Sequence, residues 1–463
     1  MSKLGDKLNF NNIKSKAMAT DNIDSAIPPR SGVNFAPSTV IEFDLPGNRP
    51  NEFLDLNNNL VFKLPVVTTG HASVLDRCGG YGFINKLEFI QNGVVLCSLS
   101  KYNVLVTALS DLQMSAEYKS TTGRALVGFE GDSLRGEKLP VGTRTFYLSP
   151  IASDMAMTTP HRQLFLGTSA SITVRLTLES ASVALQSASG SLADYSVVQP
   201  QMLIDTTFLY TDTMAALTKA VGTNYTMLCN SYDHTSAIVP AGTPVSNIKL
   251  PFAKTSLERI LFVIRPLSHT TSATKMSCGS RCTGNLKTFQ LEVAGRATPK
   301  QPIKVGEDSL HHLLKSDNIA SNYSHGLSGL FNSYSLGPAG GGGTSSLGSD
   351  PQISKSNPYL LPGVVADGDL FGRGRSGDGT GDGAPQASNI GTFMGAINLE
   401  SALTSSQNSS IYSGINTKNG VDVYFHADWG AGCIDGGVMI DFFSLSTDTI
   451  EVDQQSNMFL KKK

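Results

Sequence analysis

The chain has 463 residues, of which 40% are hydrophobic and only 16% charged, and its formal net charge is −2. This length exceeds one ordinary domain and is enough for two β-sandwiches of roughly 200 residues each. The charged fraction lies below the ~25% typical of soluble domains, and a nearly neutral chain is not an evident nucleic-acid binder. Such a weakly charged, polar surface favours packing against neighbouring subunits.

Cysteine content and hydropathy predict the compartment. Six cysteines are too few for a disulfide-built fold. The first seven residues lack the apolar core of a signal peptide, and the most apolar run, residues 260–264, is far shorter than the ~20 residues of a membrane helix. We therefore expect synthesis in a reducing cytoplasm or nucleus, without secretion and without a membrane span.

Both ends of the chain carry clustered lysines. Residues 1–37 are predicted to form an N-terminal arm, because Pro28 and Pro29 break any helix there. Residues 454–463 are predicted to form a C-terminal tail that ends in three lysines. A basic tail can contact nucleic acid or an acidic partner, and a solvated terminus is the alternative.

From residue 38 the hydrophobic period changes to two, which predicts half-buried strands. In residues 39–45, Ile41, Phe43 and Leu45 point one way and Val40, Glu42 and Asp44 the other. Asn92-Gly93 lies between two alternating runs and predicts a tight hairpin, since both residues tolerate positive φ. Residues 171–179 show the most regular alternation of the chain, and residues 202–210 close this half.

One helix is predicted within the first half. Ser100 is its expected N-cap, and apolar residues follow at helical spacing, namely Tyr102, Leu105, Val106, Leu109 and Leu112.

The second half of the chain shows short strand-like patterns of the same kind as the first half. The continuous apolar run at 260–264 predicts a strand buried on both faces. Alternation returns at 289–293, 421–425 and 438–442, and a short helix is predicted at 309–314. A glycine-rich insertion over residues 318–388 has little periodicity and cannot bury a core.

Many short strands without regular intervening helices predict an all-β protein. The first sandwich is expected over residues 38–212 and the second over 213–453. Pattern alone leaves open whether these sandwiches are jelly rolls or immunoglobulin-like.

Few positions are candidates for chemistry. Cys278 and Cys282, with His269 upstream, lack the fourth ligand that zinc needs, so a loop with free thiols is the better interpretation. His311 and His312 are adjacent on the predicted helix and do not share a face. Trp429 is interpreted as a core or interface residue.

The insertion contains two further motifs. Gly372-x-Gly374-x-x-Gly377 has the letters of a dinucleotide fingerprint, but no strand precedes it. Asp378, Thr380 and Asp382 could offer oxygens to calcium but lack the glutamate of an EF-hand. We therefore predict no catalytic, cofactor-binding or metal-binding residues, and no enzyme, although a spatial triad remains open.

Ile41-Glu42-Phe43, Pro46-Gly47 and residues 54–56 have the pattern of a strand pair joined by a Pro/Gly turn. This pattern resembles the strand pair that opens the first roll of double jelly-roll major capsid proteins of the Polinton-like and adintovirus-like kind. Residues 129–132, 139–143 and 146–150 resemble later strands of the first roll, and residues 393–399, 413–417 and 421–425 resemble the end of the second.

The resemblance implies two consecutive jelly rolls with short helices and long insertions. It also implies a homotrimer of pseudo-hexagonal outline that builds an icosahedral virion shell together with penton and minor capsid proteins. The basic arm could then touch the capsid interior. A β-sandwich adhesin or carbohydrate-binding module is the alternative, and it would show exposed aromatics clustered on one loop face.

Overall fold

The computed structural model describes residues 20–55, 59–129, 137–151, 164–167, 171–186, 193–221, 224–273, 276–305, 308–316, 393–400, 414–418, 420–430, 432–453 and 460–462. Strands dominate these residues and fall into two groups along the chain. No helix in the described ranges is long and apolar enough to cross a membrane.

The first group contains fifteen strands in the described part of residues 20–209. They are β1 Thr20–Ile27, β2 Asn34–Phe35, β3 Val40–Leu45, β4 Glu52–Leu54, β5 Leu60–Thr69, β6 Ser73–Leu75, β7 Ile84–Gln91, β8 Val94–Ser100, β9 Lys138–Leu139, β10 Gly142–Leu148, β11 Leu164–Phe165, β12 Ile172–Leu178, β13 Leu185–Gln186, β14 Asp194–Val198 and β15 Gln201–Leu209.

These strands form two main sheets that pack face to face. One sheet has the order β11-β4-β15-β5-β14-β2, with β1 on β15 and β10 on β5, and the other has the order β3-β12-β7-β8. A small third sheet joins β13, β6 and β9. Phe43 of β3 stacks on Phe62 of β5 with ring centroids 6.2 Å apart, so the core lies between the two main sheets.

The alternation predicted from the sequence is present in both partners of one strand pair. Ile41, Phe43 and Leu45 of β3 are buried, as are Ile172 and Val174 of β12, while their polar neighbours are partly exposed. The two strands pair antiparallel, so alternating apolar side chains from both strands enter the same core. The Asn92-Gly93 hairpin between β7 and β8 is confirmed, with φ of 50° and 77°.

The second group contains nine strands in the described part of residues 224–462. They are β16 Asn224–Val239, β17 Val245–Leu250, β18 Leu257–Pro266, β19 Thr288–Val293, β20 Arg296–Lys304, β21 Gly395–Asn398, β22 Val423–Asp428, β23 Val438–Asp453 and β24 Leu460–Lys462. One sheet has the order β16-β23-β18-β21 with β24 on β23, and the other has the order β17-β22-β19-β20.

Phe262 of β18 lies at the centre of the second core. Its ring lies 4.9 Å from those of Phe289 and Phe425, which belong to the opposite sheet, and 6.1 Å from Phe442 of its own sheet. All ten residues of β18 are buried, as predicted for a strand covered on both faces. Each described strand pairs only within its own group, which confirms an all-β fold of two sandwiches.

Six α-helices connect the strands in the part of the chain that the structure describes. They are α1 Tyr102–Gln113, α2 Ala116–Ser120, α3 Thr122–Val127, α4 Ala181–Ala184, α5 Thr211–Val221 and α6 Ser309–Ser316. The helix predicted after Ser100 is confirmed as α1, but the predicted cap is wrong. Its N-cap is Lys101, in a left-handed conformation without a side-chain capping bond. The Ser100 hydroxyl has a different partner, described below.

The predicted arm and tail differ from the structure in part. Residues 20–27 form β1 and pair with β15, and residues 34–35 pair with β14, so this part of the predicted arm belongs to the first sheet. In the predicted tail, β24 pairs with β23. Backbone hydrogen bonds along β15 explain the first difference, because β1 pairs along all eight of its residues. Residues 1–19 and the insertion at 318–388 lie outside the described residues.

Candidate functional site at the junction of the two sandwiches

Two connecting segments meet where the sandwiches join. Asp76 follows β6 in the first sandwich, and residues 277–281 lie between β18 and β19 in the second. The Asp76 carboxylate accepts hydrogen bonds from the backbone N–H groups of Cys278 and Gly279, at 2.7 and 2.9 Å. It also accepts one from its neighbour Arg77 at 2.6 Å. One buried carboxylate therefore accepts hydrogen bonds from backbone N–H groups of both segments.

Gly279 permits this close approach. A Cβ at this position would lie 2.6 Å from Asp76 Oδ1 and 3.0 Å from Arg77 Cβ. Neither atom can retreat easily, because Asp76 is held by three backbone donors and Arg77 is buried. Any larger residue must push the two segments apart.

We predict that Gly279→Ala lowers the free energy of unfolding by about 1–3 kcal/mol, the usual loss on overpacking a core. Gly82→Ala is the matched control, since its Cβ would lie 3.4 Å from Cys78 Sγ, an ordinary contact distance. Urea unfolding of both variants measures the difference. Equal midpoints would show that the junction accommodates a side chain.

A second contact places three cations around one carboxylate. Asp111 of α1 accepts from Arg77 Nε at 2.8 Å and from Lys119 Nζ of α2 at 2.6 Å. Its second oxygen accepts from Arg281 Nη2, which comes from the other sandwich. The four side chains are at most 2% exposed. We name these four residues the Asp111 cluster.

The charges in the cluster are strongly coupled. Burial alone would raise the pKa of Asp111, but Arg77, Lys119 and Arg281 outweigh burial and hold that pKa well below its usual range. Burial and the two neighbouring guanidinium groups lower the pKa of Lys119, against the attraction of Asp111. Asp111 is therefore the anion that allows three cations to be buried together.

A third contact is a chain of polar groups that crosses the junction. The hydroxyl of Ser100, the last residue of β8, lies 3.0 Å from His234 Nδ1 on β16. His234 Nε2 lies 3.0 Å from Asp441 Oδ1 on β23. Arg265 of β18 binds the other Asp441 oxygen through Nε and Nη2, at 2.8 and 2.7 Å. Ser100 thus connects the first sandwich to a buried ion pair of the second.

The Asp441 ion pair gives the protein a pH dependence in acid. Burial would raise the pKa of Asp441, but Arg265 and His234 lower it below the usual value. A lowered folded pKa adds stability above the unfolded pKa of about 3.9, and this stability is lost as the pH falls through the folded value.

We therefore predict that urea midpoints of the native protein fall as the pH decreases below about 4. An Asp441→Asn variant should be less stable at pH 7 and should lose less on acidification, because it has no carboxylate to protonate. Parallel pH profiles for the two proteins would contradict the assignment of this carboxylate.

Cys278 and Cys282, which were predicted as free thiols, are buried and form no disulfide bond in the structure. Cys278 and Cys282 each lie beside a thiol other than their motif partner, because Cys278 hydrogen-bonds to Cys78 and Cys282 lies near Cys433. Burial raises the pKa of Cys282 to about 12, so its thiol stays protonated. Among the described residues, no group of three metal-ligating side chains is present.

Other positions considered from the sequence have local roles or lie outside the described residues. Trp429 is fully buried and donates from Nε1 to Ser246 Oγ at 3.0 Å, as expected for a core residue. The rings of His311 and His312 on α6 lie edge to face, 5.9 Å apart. The motifs at 372–377 and 378–382 fall in the part of the chain that the structure does not describe.

The sequence contained only a weak signal for the junction. Asp111 lies in a helix whose residues from Tyr102 to Leu112 are all buried, and a charge in such a helix indicates a buried partner. Its partner Arg281 is 170 residues away along the chain. No local pattern connects the two.

No family model matches this chain, and no curated protein sequence is similar to it. Solved structures do match over nearly the whole length. The PBCV-1 virus capsid protein has a TM-score of 0.60 at 10% identity, covering 97% of this chain and 98% of that one.

Two major capsid proteins match to a similar extent. That of Faustovirus has a TM-score of 0.60 at 9% identity, covering 96% of this chain and 92% of that one. That of mavirus has a TM-score of 0.52 at 9% identity, covering 100% and 95%. The chain has the double jelly-roll fold of viral major capsid proteins, which confirms the predicted fold class and the resemblance at the level of fold.

Proposed function

We propose that the protein is a major capsid protein that builds an icosahedral virus shell. The observation that supports this most is the fold match with viral capsid proteins along nearly the full length of both chains. A shell subunit needs stiffness and fixed geometry, and the described residues provide both in two sandwiches joined by buried contacts. The proposed place of action is the virion, after synthesis in the host cytoplasm or nucleus.

The proposed division assigns the first jelly roll to residues 38–212 and the second to 213–453. The sheet pairing supports two units, because β1 to β15 and β16 to β24 pair separately. The same pairing favours moving the start of the first unit to residue 20, where β1 begins.

The proposed assembly unit is a homotrimer, in which six rolls give a pseudo-hexagonal outline. One chain with two docked rolls pays no association penalty for that pair, and three copies close a ring through one repeated head-to-tail interface. Contacts between trimers can each be weak, because many of them act together in a lattice.

Light scattering of the purified protein tests the assembly. We expect a species near three times 49.1 kDa, and negative-stain images that show pseudo-hexagonal rings or larger shells. A stable monomer at every salt and protein concentration would contradict the proposal.

Further partners are proposed on the resemblance alone. These are penton and minor capsid proteins, and the capsid interior for the basic N-terminal residues. Deletion of residues 1–19 should leave the trimer intact and impair shell closure. Loss of the trimer in the deletion variant would assign these residues to the trimer itself.

We propose a structural and not a catalytic role for the Ser100–His234–Asp441 chain. Its connectivity is that of a nucleophilic triad, but Arg265 neutralises Asp441, and the His234 side chain is only 8% exposed. An aspartate that is already paired with an arginine stabilises an imidazolium poorly, and the Ser100 hydroxyl is only partly exposed to a substrate. The geometry fits a link between sandwiches better than a hydrolase.

Ser100→Ala separates the two roles. We expect a loss of about 1 kcal/mol in the free energy of unfolding, the net value of one hydrogen bond, and no change in hydrolysis of a p-nitrophenyl ester above buffer. Ser98→Ala, on the same strand, is the control. Ester hydrolysis that disappears only in Ser100→Ala would favour the hydrolase alternative.

The adhesin alternative required exposed aromatics on one loop face. Among described residues, the exposed large aromatics are Tyr118, Tyr147 and Tyr210. They lie on α2, on β10 and just after β15, and the single Trp429 is buried. This distribution does not favour a sugar-binding platform.

A further inference from the structure

The Asp111 cluster has more buried positive charge than negative charge. Arg77, Lys119 and Arg281 carry three positive charges, and Asp111 supplies one negative charge. Asp76 adds a second if it is ionised, and the adjoining Arg265–Asp441 pair is neutral in sum. At least one positive charge of the cluster is therefore not balanced by Asp111, Asp76 or the Arg265–Asp441 pair.

The same cluster has hydrogen-bond donors without acceptors. Within the described residues, Arg77 Nη1, Arg281 Nε and Arg281 Nη1 are buried and have no partner. These N–H groups belong to two guanidinium groups that both bind the Asp111 carboxylate, one at each oxygen. They are thus confined to the surroundings of one side chain, and both guanidinium groups are fully or almost fully buried.

An unpaired buried guanidinium donor is destabilising, and so is an uncompensated buried charge. Water could accept the free N–H groups but would leave the charge. The carboxylates nearby cannot turn toward these donors, since Asp76 is held by three backbone N–H groups and both Asp111 oxygens are occupied. A small anion would satisfy both needs at once.

We propose that the Asp111 cluster binds one monatomic inorganic anion of the halide class between Arg77 and Arg281. A halide accepts several N–H bonds without a directional preference and carries a negative charge that offsets the excess positive charge of the cluster. Because Arg77 belongs to the first sandwich and Arg281 to the second, the bound anion strengthens their docking.

Bromide is the direct probe, because its anomalous scattering identifies it in a crystal. Crystals of the full chain grown or soaked in sodium bromide should show an anomalous peak within hydrogen-bond distance of Arg77 Nη1 and Arg281. An absence of bromide there, with a water in its place, would overturn the proposal.

Thermal unfolding in solution provides an independent test. At constant ionic strength, replacement of sodium gluconate by sodium chloride should raise the unfolding midpoint, with a logarithmic dependence on chloride above its dissociation constant. Equal midpoints in the two salts would overturn the proposal, because an anion that binds the folded chain must raise the midpoint.

Lys119→Met assigns the chloride effect to this cluster. It removes the excess charge and keeps an unbranched side chain beside Phe129, so the chloride dependence should vanish. Lys86→Met is the control, because Lys86 is 35% exposed and pairs with Glu88 outside the Asp111 cluster, so its variant should keep the full chloride shift. A shift that persists in Lys119→Met would place the anion elsewhere and overturn the proposal. If Lys119→Met does not fold, the bromide experiment on the native chain decides.

Discussion

Asp111→Asn is expected to lower the free energy of unfolding by at least about 3–5 kcal/mol, the loss typical of removing one partner from a buried ion pair. Asparagine has nearly the shape of aspartate but no charge, so Arg77, Lys119 and Arg281 would remain buried beside each other without their common anion. Since domains are stable by only about 5–15 kcal/mol, we expect little folded protein at 37 °C. Urea unfolding at 10 °C and the soluble yield measure the effect.

Asp422→Asn is the matched control for this prediction. Asp422 also pairs with a lysine, Lys249, but both side chains are more than half exposed. Water replaces such an ion pair at little loss, so this variant should unfold at the native midpoint. If Asp111→Asn were as stable as Asp422→Asn, the buried cluster would not hold the junction.

Phe262→Ala is expected to lower the free energy of unfolding by about 3–5 kcal/mol, through lost burial and the cavity left behind. Phe262 contacts phenylalanines of both sheets of the second sandwich, and its ring covers Gly395 on β21. A Cβ at Gly395 would lie 2.2 Å from that ring, so the backbone at Gly395 directly underlies it. The surrounding side chains cannot refill such a space by a small shift.

Tyr210→Ala is the control, because it removes a similar ring from a side chain that is 50% exposed. The loss in the free energy of unfolding should be much smaller in Tyr210→Ala than in Phe262→Ala. A chemical-denaturation profile for Phe262→Ala should also show whether the first sandwich remains folded when the second unfolds. Equal losses in the two variants would contradict the assignment of Phe262 to the centre of the core.

The strands whose side chains alternate between core and solvent were predictable from the sequence. In β3 and β12 the period of two is local, because successive side chains of any strand point to opposite faces. The Asn92-Gly93 turn and helix α1 could also be predicted from the sequence. Tolerance of positive φ and the helical spacing of apolar residues both depend only on residues close together in the chain. The all-β class followed from these elements.

Elements without a local pattern were missed. The sixteen-residue strand β16 has no regular apolar alternation, and it exists because its backbone pairs along its whole length with β23. Strand β1 also lacks a regular apolar alternation, so its residues were assigned to an arm. In the structure, β15 supplies backbone partners for all of them. Backbone pairing does not depend on side-chain type, so sequence pattern does not reveal it.

The junction between the two sandwiches depends on contacts between segments that are far apart in the sequence. The backbone groups of Cys278 and Gly279 meet Asp76 across more than 200 residues of chain, and Arg281 meets Asp111 across 170. Ser100, which seemed locally suited to cap α1, instead bonds His234 of the other sandwich. The sequence alone determined the period of each strand, because that period is a local property. The junction is decided by contacts between segments that only the folded chain brings within hydrogen-bond distance.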